Sequence, residues 1–291
     1  MDNLELVLDA RATLGEGPSW DAGKGLLYWV DIMESQIHIF DPGSGTDLKY
    51  EIGQYVGAVV PDRNNGFVIA ARDGFFRFDP ASGLLHPIGD PEAGIAANRF
   101  NDGKCDAKGR FWAGTMELTE RSPGGALYCL YPNGEIEKKV SGITCSNGIT
   151  WSPDHTTMYY IDSPTKQVKA YPFDHDTGRL GEGRVIITIP EGEGSPDGMT
   201  TDMEGMLWIA QWDGYCVSRF NPETGERLLK VEVPAARVTS CVFGGDLLDE
   251  LYITTARTGL PEEELRQRPL SGGIFRLKPG VQGLPSYSFG S

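Results

Sequence analysis

The feature that most constrains this 291-residue chain is a strand-turn-strand pattern that returns six times, at intervals of 41 to 50 residues. Each unit opens with a short apolar stretch, continues through a polar turn and reaches a strand rich in aromatic residues. The openings are Glu16-Gly17, Gly57-Ala58, Asn101-Asp102-Gly103, Asn147-Gly148, Asp197-Gly198 and Thr239-Ser240. Runs rich in Val, Ile, Tyr, Phe and Trp, bounded by Gly, Pro, Asn and Asp, are typical of β-strands separated by turns.

A second motif recurs late in several units and predicts a tight hairpin. It reads Asp41-Pro42-Gly43-Ser44-Gly45 in the first unit, with counterparts at residues 79–83 and 221–225 and a variant at 174–178. Proline fixes φ at the second position of a turn, and the closing glycine supplies a positive φ. The variant, Asp174-His175-Asp176-Thr177-Gly178, is therefore interpreted as a turn rather than as half of a calcium loop.

Three or four strands per unit at this period predict an all-β fold, a six-bladed β-propeller with four-stranded blades around a central channel. One domain spanning residues 1–291 is expected. The strand at residues 4–8 belongs to no unit, and we expect it to complete the last blade and cover its edge. A pair of sandwiches or a large barrel would not require six similar units. The best candidate for a helix is residues 261–267.

Composition narrows the choice of partners. The net charge is −15, from 26 basic and 41 acidic residues, which argues against a nucleic-acid partner and favours attraction of cations. Five widely spaced cysteines form no C-x-x-C pair, so we expect buried thiols rather than a disulfide framework. The residues from Met1 to Glu5 show no signal-peptide pattern and no apolar run is long enough to span a membrane. A cytoplasmic protein without a membrane partner, monomeric or weakly homo-oligomeric, is expected.

Candidate chemistry lies at the unit openings. In a propeller the first strand of each blade lines the channel, so Glu16, Asn101, Asn147 and Asp197 should face one another. Two carboxylates and two amide carbonyls suit a hard divalent ion such as Ca²⁺, Mg²⁺ or Mn²⁺. Zn²⁺ would lack its usual nitrogen or sulfur ligands. The alternative is that each pair of polar residue and glycine is only a turn.

Arg99 stands two residues before the third opening, in Asn98-Arg99-Phe100-Asn101-Asp102-Gly103-Lys104. Its forked donors could hold a polyol or an acid. A surface ion pair is the other interpretation.

Eight motifs distributed in order along the chain resemble the gluconolactonase, regucalcin and luciferin-regenerating-enzyme family. They are Gly15-Glu16-Gly17-Pro18, the stretch from Asn98 to Lys104, Ala113-Gly114-Thr115-Met116, Gly125-Ala126-Leu127-Tyr128, Ser146-Asn147-Gly148, Tyr159-Tyr160-Ile161-Asp162-Ser163, Pro196-Asp197-Gly198-Met199 and Gly272-Gly273-Ile274-Phe275. The resemblance implies a six-bladed propeller with a divalent metal in its central channel.

The same resemblance implies roles for individual residues. Glu16, Asn147 and Asp197 match the metal ligands, and Asp197 also matches the acid/base residue. Arg99 and Asn101 match substrate contacts. A further substrate contact, a glutamate, falls at Glu117 or Glu120, because the ungapped position is Thr119 and the loop here is shorter.

The function implied is metal-dependent hydrolysis of a small sugar lactone, with one cation, Ca²⁺, Zn²⁺, Mg²⁺ or Mn²⁺, polarising the lactone carbonyl. Three alternatives remain: a hydrolase acting on phosphotriester (organophosphate-type) substrates, a calcium-binding regulator, and a propeller for protein interactions. The last would need an exposed apolar top face and no ligand set in the channel.

Overall fold

The structure is a computed structural model that describes residues 4–291. The interpretation of Met1–Asn3 as free of a signal peptide lies outside the described residues. Twenty-five strands in this range fall into six consecutive groups, with each strand antiparallel to its neighbours. No helix in residues 4–291 has the length and apolar character needed to cross a membrane.

The first three groups each contain four strands. Group 1 follows β1 (Glu5–Leu8) and contains β2 (Gly15–Asp21), β3 (Leu26–Asp31), β4 (Gln36–Asp41) and β5 (Thr46–Glu51). Group 2 contains β6 (Val56–Pro61), β7 (Phe67–Ala71), β8 (Gly74–Asp79) and β9 (Leu84–Gly89). Group 3 contains β10 (Asn98–Cys105), β11 (Phe111–Glu117), β12 (Gly125–Leu130) and β13 (Ile136–Ile143).

The last three groups vary this plan. Group 4 contains β14 (Ser146–Trp151), β15 (Thr157–Asp162), a 3-10 helix (Ser163–Thr165), β16 (Gln167–Asp174), β17 (Arg179–Leu180) and β18 (Arg184–Thr188). Group 5 contains β19 (Ser195–Thr201), β20 (Leu207–Trp212), β21 (Cys216–Phe220) and β22 (Arg227–Glu232). Group 6 contains β23 (Arg237–Gly244), β24 (Glu250–Ala256), α1 (Glu262–Gln267) and β25 (Ile274–Leu277).

The groups are arranged in sequence around a ring. The first strands, β2, β6, β10, β14, β19 and β23, each contact the next, and β23 contacts β2. Groups 1 to 4 are separate sheets, whereas groups 5 and 6 share one sheet through the pair Trp212–Arg237. The predicted all-β, propeller-like arrangement is confirmed.

Closure by the N-terminal strand is also confirmed. Strand β1 pairs with β25, placing Leu6 opposite Phe275, so it supplies the outer strand of group 6. The pairing covers an edge that would otherwise present unpaired backbone groups.

The helix predicted at residues 261–267 is present as α1. The turn at Asp174 is also present: the Asp174 carboxylate accepts hydrogen bonds from the backbone N–H groups of Asp176 and Thr177.

The core consists of six hydrophobic clusters, each formed mainly by two neighbouring groups. Trp112, from group 3, packs with Trp151 from group 4, and Trp208, from group 5, packs with Phe243 from group 6. Trp20 stacks on Tyr252, which joins group 1 to group 6. The aromatic residues of the repeat therefore bury apolar surface between groups. All five cysteines are buried, as predicted.

Candidate active site

Every first strand carries a break in register at the residues that open its repeat. The breaks are Glu16/Ser19 in β2, Val56/Ala58 in β6, Phe100/Asp102 in β10, Asn147/Ile149 in β14, Pro196/Met199 in β19 and Val238/Ser240 in β23. A β-bulge bends its strand and re-aims a side chain, and bulges are common beside active sites. The repeated openings are thus repeated bulges, and four of them carry a polar side chain suited to binding.

Five of the predicted site residues line one cavity of about 360 Å³. They are Glu16, Arg99, Asn101, Asn147 and Asp197, and each is at most 7% exposed. The volume lies within the range of small-molecule sites, which combine a concave shape with a few convergent polar groups. The structure therefore brings these five side chains together.

The two asparagines are held in fixed orientations. The amide nitrogen of Asn101 donates to the Asn147 Oδ1 at 3.1 Å and to the Ser146 carbonyl at 2.8 Å. The amide nitrogen of Asn147 donates to the Ser163 Oγ at 2.8 Å, and Ser163 in turn donates to the Pro196 carbonyl. The Asn147 Oδ1 therefore accepts one hydrogen bond, from Asn101, and keeps a second lone pair, while the residue itself lines the cavity.

Asn101 differs from Asn147 in what its oxygen contacts. Its Oδ1 accepts a hydrogen bond from the Arg99 guanidinium at 2.6 Å. That oxygen is already engaged by a cation, so the structure favours Asn147 over Asn101 as a ligand for a metal. Arg99 also donates to the Phe100 carbonyl, which leaves further guanidinium donors for a ligand in the cavity.

Burial disfavours ionisation of the two cavity carboxyl groups. Burial, with a smaller contribution from Asp102, raises the pKa of Glu16 to about 8. Burial and the neighbouring Glu16 raise the pKa of Asp197 well above its usual range. The Oδ1 atom of Asp197 is buried and has no hydrogen-bond partner. Because buried charges of like sign cost stability unless they are paired, a cation bound beside these carboxyl groups would stabilise their ionised forms.

The donors present fit a hard cation. Glu16, Asn147 and Asp197 offer carboxylate and amide oxygens, which are the ligands that Ca²⁺, Mg²⁺ and Mn²⁺ prefer. The third donor of this set is an amide, and within residues 4–291 no three His, Cys, Asp or Glu side chains form a metal-binding cluster. A site with three protein ligands leaves positions for water or substrate.

Glu117 does not line this cavity, in contrast to the expectation that it contacts substrate. Its carboxylate accepts hydrogen bonds from the Thr119 hydroxyl and from the backbone N–H groups of Arg121 and Ser122, so it holds the loop after β11. Glu120, the alternative candidate, lines the cavity and has φ 54°. The loop turns back on itself after Glu117, and this reversal brings Glu120 to the cavity.

Several further cavity residues were assigned no role from the sequence. Cys145 and Met116 line the wall with their sulfur atoms 3.7 Å apart, and Ser163 fixes Asn147. Trp212, at the end of β20, also lines the cavity. Ser163 ends the Tyr-Tyr-Ile-Asp-Ser motif and was therefore marked by sequence, whereas Cys145 and Trp212 appear in the sequence as ordinary strand residues.

The second unit opens with glycine because its neighbour approaches too closely for a side chain. A Cβ at Gly57 would lie 2.5 Å from the carbonyl carbon of Phe100 and 2.7 Å from the Asn101 nitrogen. Group 2 therefore supplies no ligand. The absence of a side chain at Gly57 leaves space for the backbone of β10, which places Asn101 in the cavity.

The fold and the site together define a class: a propeller-like all-β protein whose bulged inner strands present two carboxylates and an amide oxygen to one cavity. The sequence profile described as SMP-30/Gluconolactonase/LRE-like region matches residues 14–257. The chain belongs to this family.

Individual relatives agree over nearly the whole chain. A Bacillus subtilis (strain 168) protein provisionally named sugar lactone lactonase YvrE is 37% identical over 96% of this chain and 97% of its own length. Regucalcin from Gallus gallus is 38% identical, with 98% of each chain covered. A solved structure from Agrobacterium tumefaciens, described as a calcium-binding protein, regucalcin, superposes with a TM-score of 0.93 at 29% identity, covering 98% of this chain and 96% of that one.

Proposed function

We propose that this protein is a metal-dependent hydrolase that opens small sugar lactones. The observation that carries the proposal is the unpartnered, buried Oδ1 of Asp197 beside Glu16 and Asn147 in a cavity of substrate size. Membership of a family that includes proteins named for lactonase activity supports the reaction, and relatives named for calcium binding support a cation.

We further infer that the six strand groups are six blades of one domain and that the cavity is the upper part of their central channel. The ring of contacting first strands and the six clusters shared between groups support this count. The sheet formed by groups 5 and 6 contains two blades joined by one residue pair.

In this proposal Glu16, Asn147 and Asp197 hold the cation. When bound, the cation supplies Lewis-acid polarisation of the lactone carbonyl. A carboxylate oxygen of Asp197 takes a proton from the attacking water while the oxygen of that water bonds to the carbonyl carbon. The ring C–O bond then breaks, and Asp197 returns the proton to the departing ring oxygen. The product is the open hydroxy acid.

Arg99 and Asn101 are assigned to orientation of the substrate. Their mutual hydrogen bond fixes the guanidinium, whose free donors face the cavity and can bind substrate hydroxyl groups. Glu120 is exposed and lines the same cavity, so it is a better candidate for the further hydroxyl contact than Glu117. The carboxylate of Glu117 instead accepts hydrogen bonds from its own loop.

A lactonase assay tests the proposal. Hydrolysis of a panel of aldonolactones is followed by pH-stat after chelation and after addition of Ca²⁺, Mg²⁺, Mn²⁺ or Zn²⁺. We expect turnover that chelation removes and a divalent cation restores, with a loss of at least about 100-fold in Glu16→Gln. Turnover unaffected by chelation would contradict the proposal.

The same assay separates the alternatives. Cation binding with no hydrolysis of any lactone would favour the calcium-binding regulator, which the names of the regucalcin relatives suggest. Cation-dependent cleavage of a phosphotriester in preference to every lactone would favour the organophosphate-type hydrolase.

A further inference from the structure

The cavity also has apolar lining residues, and the roles assigned above do not use them. Leu14, Met116, Pro164 and Trp212 line the cavity together with the polar residues. Trp212 differs from Trp208 on the same strand, because Trp208 is fully buried between groups 5 and 6 whereas Trp212 is half-buried at the cavity. A large aromatic ring at a ligand cavity offers a broad apolar surface at a small cost in conformational entropy.

The strand pairing fixes the position of Trp212. On one side it lies opposite Ser195, which also lines the cavity and stands two residues before Asp197. On the other side it lies opposite Arg237 of β23, at the junction of groups 5 and 6. The indole is therefore placed on the same wall as the proposed acid/base residue.

Arg237 holds the ring itself. Its guanidinium carbon lies 4.5 Å from the centroid of the Trp212 ring, which is the geometry of a cation–π contact. The guanidinium also contacts Asp213, at 3.1 Å, and donates to the Thr258 carbonyl. A Cβ at Gly259 would lie 2.6 Å from the Arg237 Nη1, so the surrounding backbone leaves the guanidinium little freedom.

A hydroxylated lactone ring has two kinds of surface. Its oxygen substituents point outward around the rim, where the donors of Arg99 and Asn101 can bind them, while its faces carry C–H groups. An aromatic ring is the complement of such a face, because it removes C–H surface from water without leaving a polar group unpaired.

We propose that Trp212 is a specificity-determining residue that stacks on the C–H face of a hydroxylated lactone ring, and that Arg237 is the positioning residue that holds the indole for it. The inference rests on the proposed lactone hydrolase function for its choice of substrate class. It extends that function to the recognition of a ring face.

The test measures both catalysis and binding in metal-loaded protein. For hydrolysis of glucono-1,5-lactone, Trp212→Leu should raise KM about tenfold with kcat within about twofold, and Trp212→Phe should restore most of the loss. Arg237→Met should raise KM by a smaller factor. Tyr215→Leu is the matched control, since Tyr215 stacks with Arg268 in the same way but does not line the cavity, and it should leave KM unchanged.

Calorimetric titration with 1,5-anhydroglucitol, a ring polyol with no ester to hydrolyse, gives the same comparison without catalysis. Weaker binding in Trp212→Leu, with unchanged Ca²⁺ affinity and unfolding temperature, is the expected result. Equal binding by wild type and Trp212→Leu would overturn the inference, as would equal losses in the Leu and Phe variants accompanied by reduced Ca²⁺ affinity. Absence of hydrolysis by the wild type would refute the lactonase function instead, and the titration would still decide the stacking.

Discussion

At the scale of single residues, the site depends on a contrast between two chemically identical amides. Asn101 and Asn147 stand at the openings of successive repeats and are joined by a hydrogen bond. The oxygen of Asn101 accepts from the charged guanidinium of Arg99, whereas the oxygen of Asn147 accepts from the neutral amide of Asn101. The Ser163 hydroxyl, which accepts from the Asn147 amide nitrogen, thus helps to orient the amide that we propose as a cation ligand.

The raised pKa values of the cavity carboxyls predict how the metal-free protein responds to pH. The pKa of Glu16 is about 8 in the folded protein, above its ordinary value of 4.5. Between these values the folded state binds more protons than the unfolded state. The free energy of unfolding that neutral Glu16 contributes is therefore fully present below pH 4.5 and is lost as the pH rises through about 8. The loss is on the order of a few kcal/mol.

This pH dependence can be measured by urea unfolding in chelator between pH 6 and 9. Saturating Ca²⁺ should remove the loss, because paired carboxylates are stable in the ionised form, and Ca²⁺ binding at pH 7 should release protons to the buffer. Glu16→Gln, which lacks the titrating group, should show a shallower decline. Stability that rises from pH 6 to 9 in chelator would contradict the assignment.

At the scale of elements, the β-bulge is the device that converts a repeat into a site. It interrupts the ladder at the opening of each first strand, at Asn101 in β10 and directly after Asn147 in β14, and the identity of the opening residue then decides what the strand contributes. Gly57 shows the opposite use, since its lack of a side chain makes room for the backbone of Phe100 and Asn101.

Gly57→Ala should therefore damage the site through β10. The added methyl group would lie 2.5 Å from the Phe100 carbonyl carbon, so β6 and β10 must separate and shift Asn101. We expect a stability loss of about 1–3 kcal/mol and a higher KM for lactone.

Gly124→Ala is the matched control for Gly57→Ala. A Cβ at Gly124 would meet nothing closer than 3.5 Å. Steady-state kinetics and unfolding of the two variants provide the check, and equal behaviour would refute this account of Gly57.

At the scale of the whole molecule, the C-terminal segment, residues 282–290, crosses the end of the ring away from the cavity. The backbone N–H groups of Leu284 and Phe289 donate hydrogen bonds to the carbonyls of Thr201 and Pro61. The Ser286 hydroxyl accepts one from the backbone N–H of Trp20. Further contacts join it to groups 3, 4 and 6 at Gly109, His155 and Leu248. The segment thus touches all six groups and ties distant parts of the ring together.

Phe289→Ala should loosen this connection without affecting the cavity. Phe289 is 2% exposed and belongs to the cluster between groups 2 and 3. Loss of a buried phenyl group costs about 3–5 kcal/mol, so chemical denaturation should show a large decrease in stability. Ser291→Ala, at an exposed position, is the control. Unchanged stability of Phe289→Ala, or a selective loss of Ca²⁺ affinity, would be inconsistent with this role.

The fold was largely predictable from sequence because its cause is periodic. Apolar and aromatic strands at a regular interval need neighbouring units to bury them, and residues 4–8 had no other partner. Four of the cavity residues were predictable for the same reason, since the unit openings meet on one axis, and Arg99 was a candidate because it stands beside the third opening. Glu120 and Trp212 depend on a reversed loop and on the junction of two sheets, which are geometries that spacing along the chain does not encode.

The central claim is that Glu16, Asn147 and Asp197 hold a divalent cation in the cavity. Anomalous diffraction from crystals of the protein grown with Mn²⁺ tests it most directly. We predict one strong anomalous peak within coordination distance of oxygen atoms from these three side chains, absent in Asp197→Asn. A cavity without a peak, in crystals whose Mn²⁺ is bound elsewhere on the chain, would contradict the claim.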